Sequence, residues 1–194
     1  TWVIMAVVLL LSIFLTRNLK VRDISKRQLA AETIVTKLES FVEDMTGEEG
    51  KRYVPYLCTV IVYIAMANLI GLFGMKPPTK DLNVTAALAI MSIILIQYAG
   101  IHAKGTKGWL KSFTQPMAIV TPINILELFI KPLSLCMRLF GNVLGAFVIM
   151  EMLKILIPVA IPVPFSFYFD IFDGLIQAYV FVFLTSLYIK EAVE

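Results

Sequence analysis

Residues 121–157 read TPINILELFIKPLSLCMRLFGNVLGAFVIMEMLKILI. Pro122 stands at the start, where a first helical turn tolerates it, and Pro132 is the other strong breaker. A helix of this length is on the order of 55 Å long. The hydrocarbon layer of a bilayer is about 30 Å thick. Ordinary spans tilt about 20°, so this helix must tilt steeply, kink at Pro132 or break. Steep inclination suits a surface that lies along something curved.

The rest of the chain belongs to the same class. Apolar residues make up 59% of the 194 positions and charged residues 16%, against about half and a quarter in a soluble domain. The apolar residues fall in blocks, which gives candidate spans at roughly 1–16, 56–74, 84–103, 119–157 and 164–190. The expectation is an all-α integral membrane protein with one membrane domain, 1–194, and about five membrane helices. The last two form a long, steeply tilted hairpin about Pro158, Pro162 and Pro164. The first block is short and the chain opens without Met, so residues are expected before Thr1. Arg17, Lys20 and Arg22 follow that apolar run instead of preceding it, which argues against a signal peptide.

Charge sets the orientation. Residues 17–52 hold eight Lys/Arg, and the 104–111 loop holds Lys104, Lys107 and Lys111 without an acid. Lys76 and Lys80 are the only Lys/Arg residues of the 75–83 loop. Lys and Arg stay on the cytoplasmic side, so the two richer loops are expected inside. The Pro77-Pro78 loop and the N-terminus then lie outside and Lys190–Glu194 inside, as in a bacterial plasma membrane. Residues 25–50 mix charge with Leu29, Ile34, Val35, Leu38, Phe41 and Val42, the pattern of an amphipathic helix at the inner surface; the alternative is a solvated linker. KPPTKDLN (76–83) is a turn, with Asp81 or Asn83 as the cap of the next helix. AKGTKGW (103–109) should break that helix.

Several functions are excluded. Cys58 and Cys136 lie in separate apolar blocks and form no disulfide framework or metal site. His102 is the only histidine. No phosphate-binding glycine loop is present, so neither nucleotide binding nor any cofactor is expected. Nothing points to nucleic acid.

Polar residues interrupt the long block with a pattern. Asn124, Glu127, Lys131, Ser134, Arg138 and Asn142 are spaced 3, 4, 3, 4 and 4 apart. At about 100° per residue they occupy about 80° of one face. Arg138 lies deepest and stays protonated, at a cost of at least about 2.5–3.5 kcal/mol on insertion scales. It must face water or a carboxylate. The plainer possibility is an ion pair within the bundle, with Glu127 or Asp173. Glu127 is about three turns away on the same helix. Counting equal lengths from the hairpin turn puts Leu184 level with Arg138, Gln177 and Thr185 nearest among polar residues, and Asp170 and Asp173 nearer the outside. No acid of this chain sits squarely opposite Arg138, so its partner is expected on another subunit. Asp170, Asp173 and Gln177 are spaced to share a face of the last helix, although the two acids could simply cap its start. Glu151 and Lys154 fit a surface position, and Tyr63 and Asn68 fit interhelical hydrogen bonds.

The run KPLSLCMRLFGN (131–142) resembles the signature of subunit a of F-type ATP synthases, whose functional centre is an Arg in an SLxxRLFGN context. ANLIGLF (67–73), DLN (81–83), YAGI (98–101), PINILE (122–127) and IQAYVF (176–181) match in the expected order. Two departures stand out. Many relatives carry an acid or a His where this chain has Phe147, and a His or Glu where it has Asp170. The resemblance implies an ion-translocating stator subunit whose Arg138 faces the carboxylates of a rotating c-ring. It also implies peripheral-stalk b subunits and the lipid bilayer as partners, a non-catalytic place in the enzyme complex, and H⁺ or Na⁺ as the ion. Asn142, Asp170, Asp173 and Gln177 would line an outer half-channel, and Glu127 and Ser134 an inner one. A stand-alone channel or transporter is the alternative, and it would need an acid of its own opposite Arg138. A purely structural membrane anchor leaves the stripe unexplained. In a variant lacking Cys58 and Cys136, single cysteines in the 76–81 and 104–111 loops are expected to label from opposite sides of the membrane. Labelling from one side would refute the topology.

Overall fold

The computed structural model describes residues 2–16, 26–73, 77–112, 121–156 and 162–193, and every regular element among them is helical. In chain order these are α1 (Trp2–Thr16), α2 (Lys26–Thr46), α3 (Val54–Leu69), α4 (Leu82–Ser112), α5 (Thr121–Leu156), α6 (Pro162–Ser166) and α7 (Gly174–Val193). Arg17, Lys20, Arg22 and Pro158 lie outside the described residues. Four segments are long and apolar enough to cross a membrane: Gly50–Leu69, Leu82–Ser112, Thr121–Ile155 and Pro164–Val193. This agrees with the all-α membrane architecture. The fifth apolar helix, α1, has 15 described residues, about 22 Å and short of a full crossing.

The helices begin and bend where side-chain chemistry dictates. Asp81 caps α4, its Oδ1 accepting from the Asn83 amide at 3.0 Å. At the far end of α4 the expected break is a single residue wide. Helical bonding runs on to Ser112, interrupted at Gly105 with φ 69°, a left-handed conformation that glycine adopts without strain. Trp109 then donates from Nε1 to Gln97 Oε1 at 3.0 Å. The long block is one 36-residue helix that passes Pro132 without ending. The last span is not uniformly α-helical. A π-helical stretch, Phe167–Asp173, joins α6 to α7, a wider i→i+5 winding that a count of α spacings misses.

The core lies where α7 packs on α3 and α4, around Leu57, Ile64, Ile96, Phe181, Val182 and Ile189. α5 leans mainly on α4 and adds Leu135, Cys136 and Leu139. It is the least covered span, with 17% of its most apolar window buried against 39% in the other three. Within the 25–50 segment, Lys26–Thr46 form a helix, α2. It docks through Val42 and Thr46, and Met45 O accepts from Ser186 Oγ on α7 at 2.9 Å, while Leu29, Ile34 and Val35 stay exposed.

A short strap, Pro77–Asp81, closes one end of the bundle. Thr79 is fully buried, and its hydroxyl donates to Asn68 Oδ1 at 2.7 Å. Asn68 in turn donates from Nδ2 to the Gly174 carbonyl at 3.0 Å. A Cβ at Gly174 would lie 2.9 Å from that of Asn68, so glycine permits the approach. One asparagine therefore ties α3, the strap and the start of α7. Thr79→Val keeps the shape and removes the donor. It is expected to destabilise the protein by about 1–2 kcal/mol, read as a lower thermal midpoint in detergent, while Thr79→Ser stays near wild type.

Candidate functional site

α5 turns its apolar contact residues, Leu135, Cys136 and Leu139, into the bundle. One residue is about 100° of helix, so Arg138 stands on the flank of that contact face, next to fully buried Leu139. Its side chain is exposed, and it makes no ion pair or hydrogen bond among the described residues. Neither Glu127 nor Asp173 satisfies it. Thr185, one of the polar residues nearest by counting, is buried and donates instead to the Phe181 carbonyl at 2.8 Å.

Beyond Arg138, two of the expected residues meet. Asn142 donates from Nδ2 to Gln177 Oε1 at 2.6 Å. Gln177 is 3% exposed, and its Nε2 is buried with no partner among the described residues. A buried unpaired amide is costly, and Asn142, to which Gln177 is bonded, lies about one turn along α5 from Arg138. Asp170 and Asp173 do not join the pair. Asp170 accepts from Ser166 Oγ at 2.6 Å and lies against the end of α3. A Cβ on Gly71 would come within 2.6 Å of its Oδ1. Asp173 is half-buried and makes no hydrogen bond or ion pair among the described residues.

On the other side of Arg138, about two turns along α5, Lys131 bonds Glu191 of α7 at 2.8 Å and reaches Glu127 at 3.6 Å. Its Nζ lies 5.2 Å from the Tyr188 ring centre. Asn124, Glu127, Lys131, Tyr188, Glu191 and Gln97 are among the residues lining a cleft of about 300 Å³ here. Ser134 is half-buried on the same stripe but outside that lining. Nothing in the helical spacing singles out Glu191. The equal-length count from the hairpin turn does put it level with Lys131, which was a usable signal. The antiparallel hairpin is thus pinned by charge at one end and by amides at the other, with Arg138 between.

A family model described as ATP synthase A chain matches residues 1–190. The chain belongs to this family. Among curated relatives, "ATP synthase subunit a" of Moorella thermoacetica is 39% identical over all of this chain and 88% of its own length. "ATP synthase subunit a 2" of a Bradyrhizobium species is 36% identical over 100% of this chain and 86% of its own length. "ATP synthase subunit a, sodium ion specific" of Propionigenium modestum is 31% identical over 100% of this chain and 72% of its own length. Together with its apolar helices, membership of the ATP synthase A chain family makes this a multi-pass membrane protein. It is an ion-transport subunit of an ATP synthase, with other subunits of that complex as partners.

The Lys131–Glu191 pair offers a direct test of the hairpin register. Its side chains are 22% and 51% exposed, and pairs of this kind contribute about 0.2–1 kcal/mol. Glu191→Lys is expected to lower the thermal midpoint modestly, and the exchange of Lys131→Glu with Glu191→Lys to restore it. Additive losses in the double variant would show that the two charges do not interact.

Proposed function

We propose that this chain is the ion-translocating stator subunit of an F-type ATP synthase, and that Arg138 faces the membrane carboxylates of a rotating c-ring. The observation that carries this reading is an exposed guanidinium without an internal partner, on the least covered span of the bundle. Gly141 and Gly145 strengthen it. A Cβ at either would meet nothing within 4 Å, so a neighbouring helix can approach α5 closely beside Arg138.

The chemistry follows from charge. A carboxylate that passes a fixed cation is driven to its ionised form, so it releases its ion at Arg138. The same cation repels an ion that would run straight along α5. Ions therefore need two separate aqueous paths. The Lys/Arg distribution puts the strap end outside and the Lys104–Lys111 end in the cytoplasm. On this reading Asn142 and Gln177, with Asp170 and Asp173 beyond them, line the outer half-channel. Glu127 and Ser134 belong to the inner one, and the 300 Å³ cleft adds Lys131, Tyr188 and Glu191 to it. The drive is about 2.3 kcal/mol per elementary charge per 100 mV. Peripheral-stalk b subunits and lipid would cover the exposed apolar residues of α1 and α2.

Arg138→Ala is expected to abolish ion-driven ATP synthesis in membrane vesicles, while the c-ring and catalytic head still co-purify with the variant. Synthesis at wild-type rate would sink the mechanism.

A further inference from the structure

The half of α5 beyond Arg138 is poorly held. From Phe140 to Ile155 no residue is buried. Two polar or ring contacts tie this half to other elements among the described residues. One is the Asn142–Gln177 hydrogen bond. The other is an ammonium: Lys80 Nζ lies 3.1 Å from the centre of the Phe147 ring.

The surroundings of Lys80 make this contact more than a lysine resting on an apolar surface. Lys80 is half-buried and forms no ion pair among the described residues. The neighbouring acid, Asp81, is committed to capping α4 through the Asn83 amide. The backbone that carries Lys80 is fixed. Its amide bonds the Pro77 carbonyl at 3.1 Å, and Thr79 beside it is buried and bonded to Asn68. A rigid strap anchored to α3, α4 and α7 thus presents one cation to α5, and the acceptor is the negative face of an aromatic ring. A partly desolvated site strengthens such a contact.

We propose that Lys80 and Phe147 form a cation–π clamp that holds the outer half of α5 to the bundle and thereby sets the width of the ion path between α5 and α7. Lys80 and Phe147 are positioning residues, and the proposal rests on the half-channel reading above. The ring does at this place what an acid or an amide could not do, because it accepts a cation without offering a second site for the transported ion.

Two measurements on the assembled complex test it, in a background with Cys58→Ala and Cys136→Ala. Spin labels at the exposed positions Leu82 and Val148 report the separation of strap and α5. The distance distribution is expected to broaden in Lys80→Gln and in Phe147→Leu, with no further broadening when the two are combined, and to recover in Lys80→Arg and Phe147→Tyr. The second measurement is ATP synthesis in vesicles against outside pH. Lys80→Gln is expected to lower the rate about two- to thirtyfold, the range that contacts of this kind span from exposed to desolvated sites. It should also displace the outside-pH profile and leave the inside-pH profile in place, and Lys80→Arg should restore both. An unchanged distance distribution in Lys80→Gln, additive effects in the double variant, or an unmoved outside-pH profile would each overturn the proposal. The Arg138→Ala experiment reports separately on the half-channel reading, so a failed clamp with intact arginine dependence is told apart from failure of the reading beneath it.

Discussion

A guanidinium cannot be discharged in a protein, and at membrane depth it cannot be left in hydrocarbon without a cost of several kcal/mol. This constraint organises α5. The helix needs one apolar face to dock on α4 and a second surface on which Arg138 stays out of that contact. Leu135, Cys136 and Leu139 supply the first, and the polar stripe along its flank supplies the second. A helix buried on all sides would have required a carboxylate within this chain. A helix detached from the bundle would have had no defined position for the charge.

The hairpin resolves the conflict with few contacts. Lys131 and Glu191 join its two helices at one end, and Asn142 and Gln177 join them on the far side of Arg138. Between these pins the guanidinium has no partner among the described residues. Rigidity in this part of the molecule comes from α3, α4 and α7, whose packing is denser than that of α5. On the proposed reading, a moving partner would meet a fixed scaffold that carries a lightly attached edge. Such a combination would suit the succession of carboxylates that the proposed function requires.

Much of this was legible in the sequence because membrane physics leaves strong marks. Apolar length gave the spans, and the 3-4-3-4-4 spacing gave the stripe. Equal counting from the prolines brought Asn142 and Gln177 within about a turn of each other. It also puts Lys131 level with Glu191. What escaped was geometry without periodic signature. The π winding at 167–173 looks like any aromatic helix start, and it sends Asp170 to Gly71 instead of toward Gln177. Gly105 was read within a seven-residue break, but a single left-handed residue suffices. The contact of Lys80 with Phe147 joins residues far apart in sequence, and no local pattern marks either of them.

The π winding also gives the chain one residue of slack. Within it Asp170 lies against Gly71, and just after it Gly174 is held against Asn68 and Gln177 against Asn142. A π turn is an α-helix carrying one residue more than its pitch calls for. Removing a single residue from 167–173 would let the helix rewind as α while the turns on either side keep nearly their present facing. The same loss inside α5, a single α-helix from Thr121 to Leu156, would turn one half by about 100° against the other and split the polar stripe. Chain length is thus specified strictly in α5 and loosely in the segment before α7.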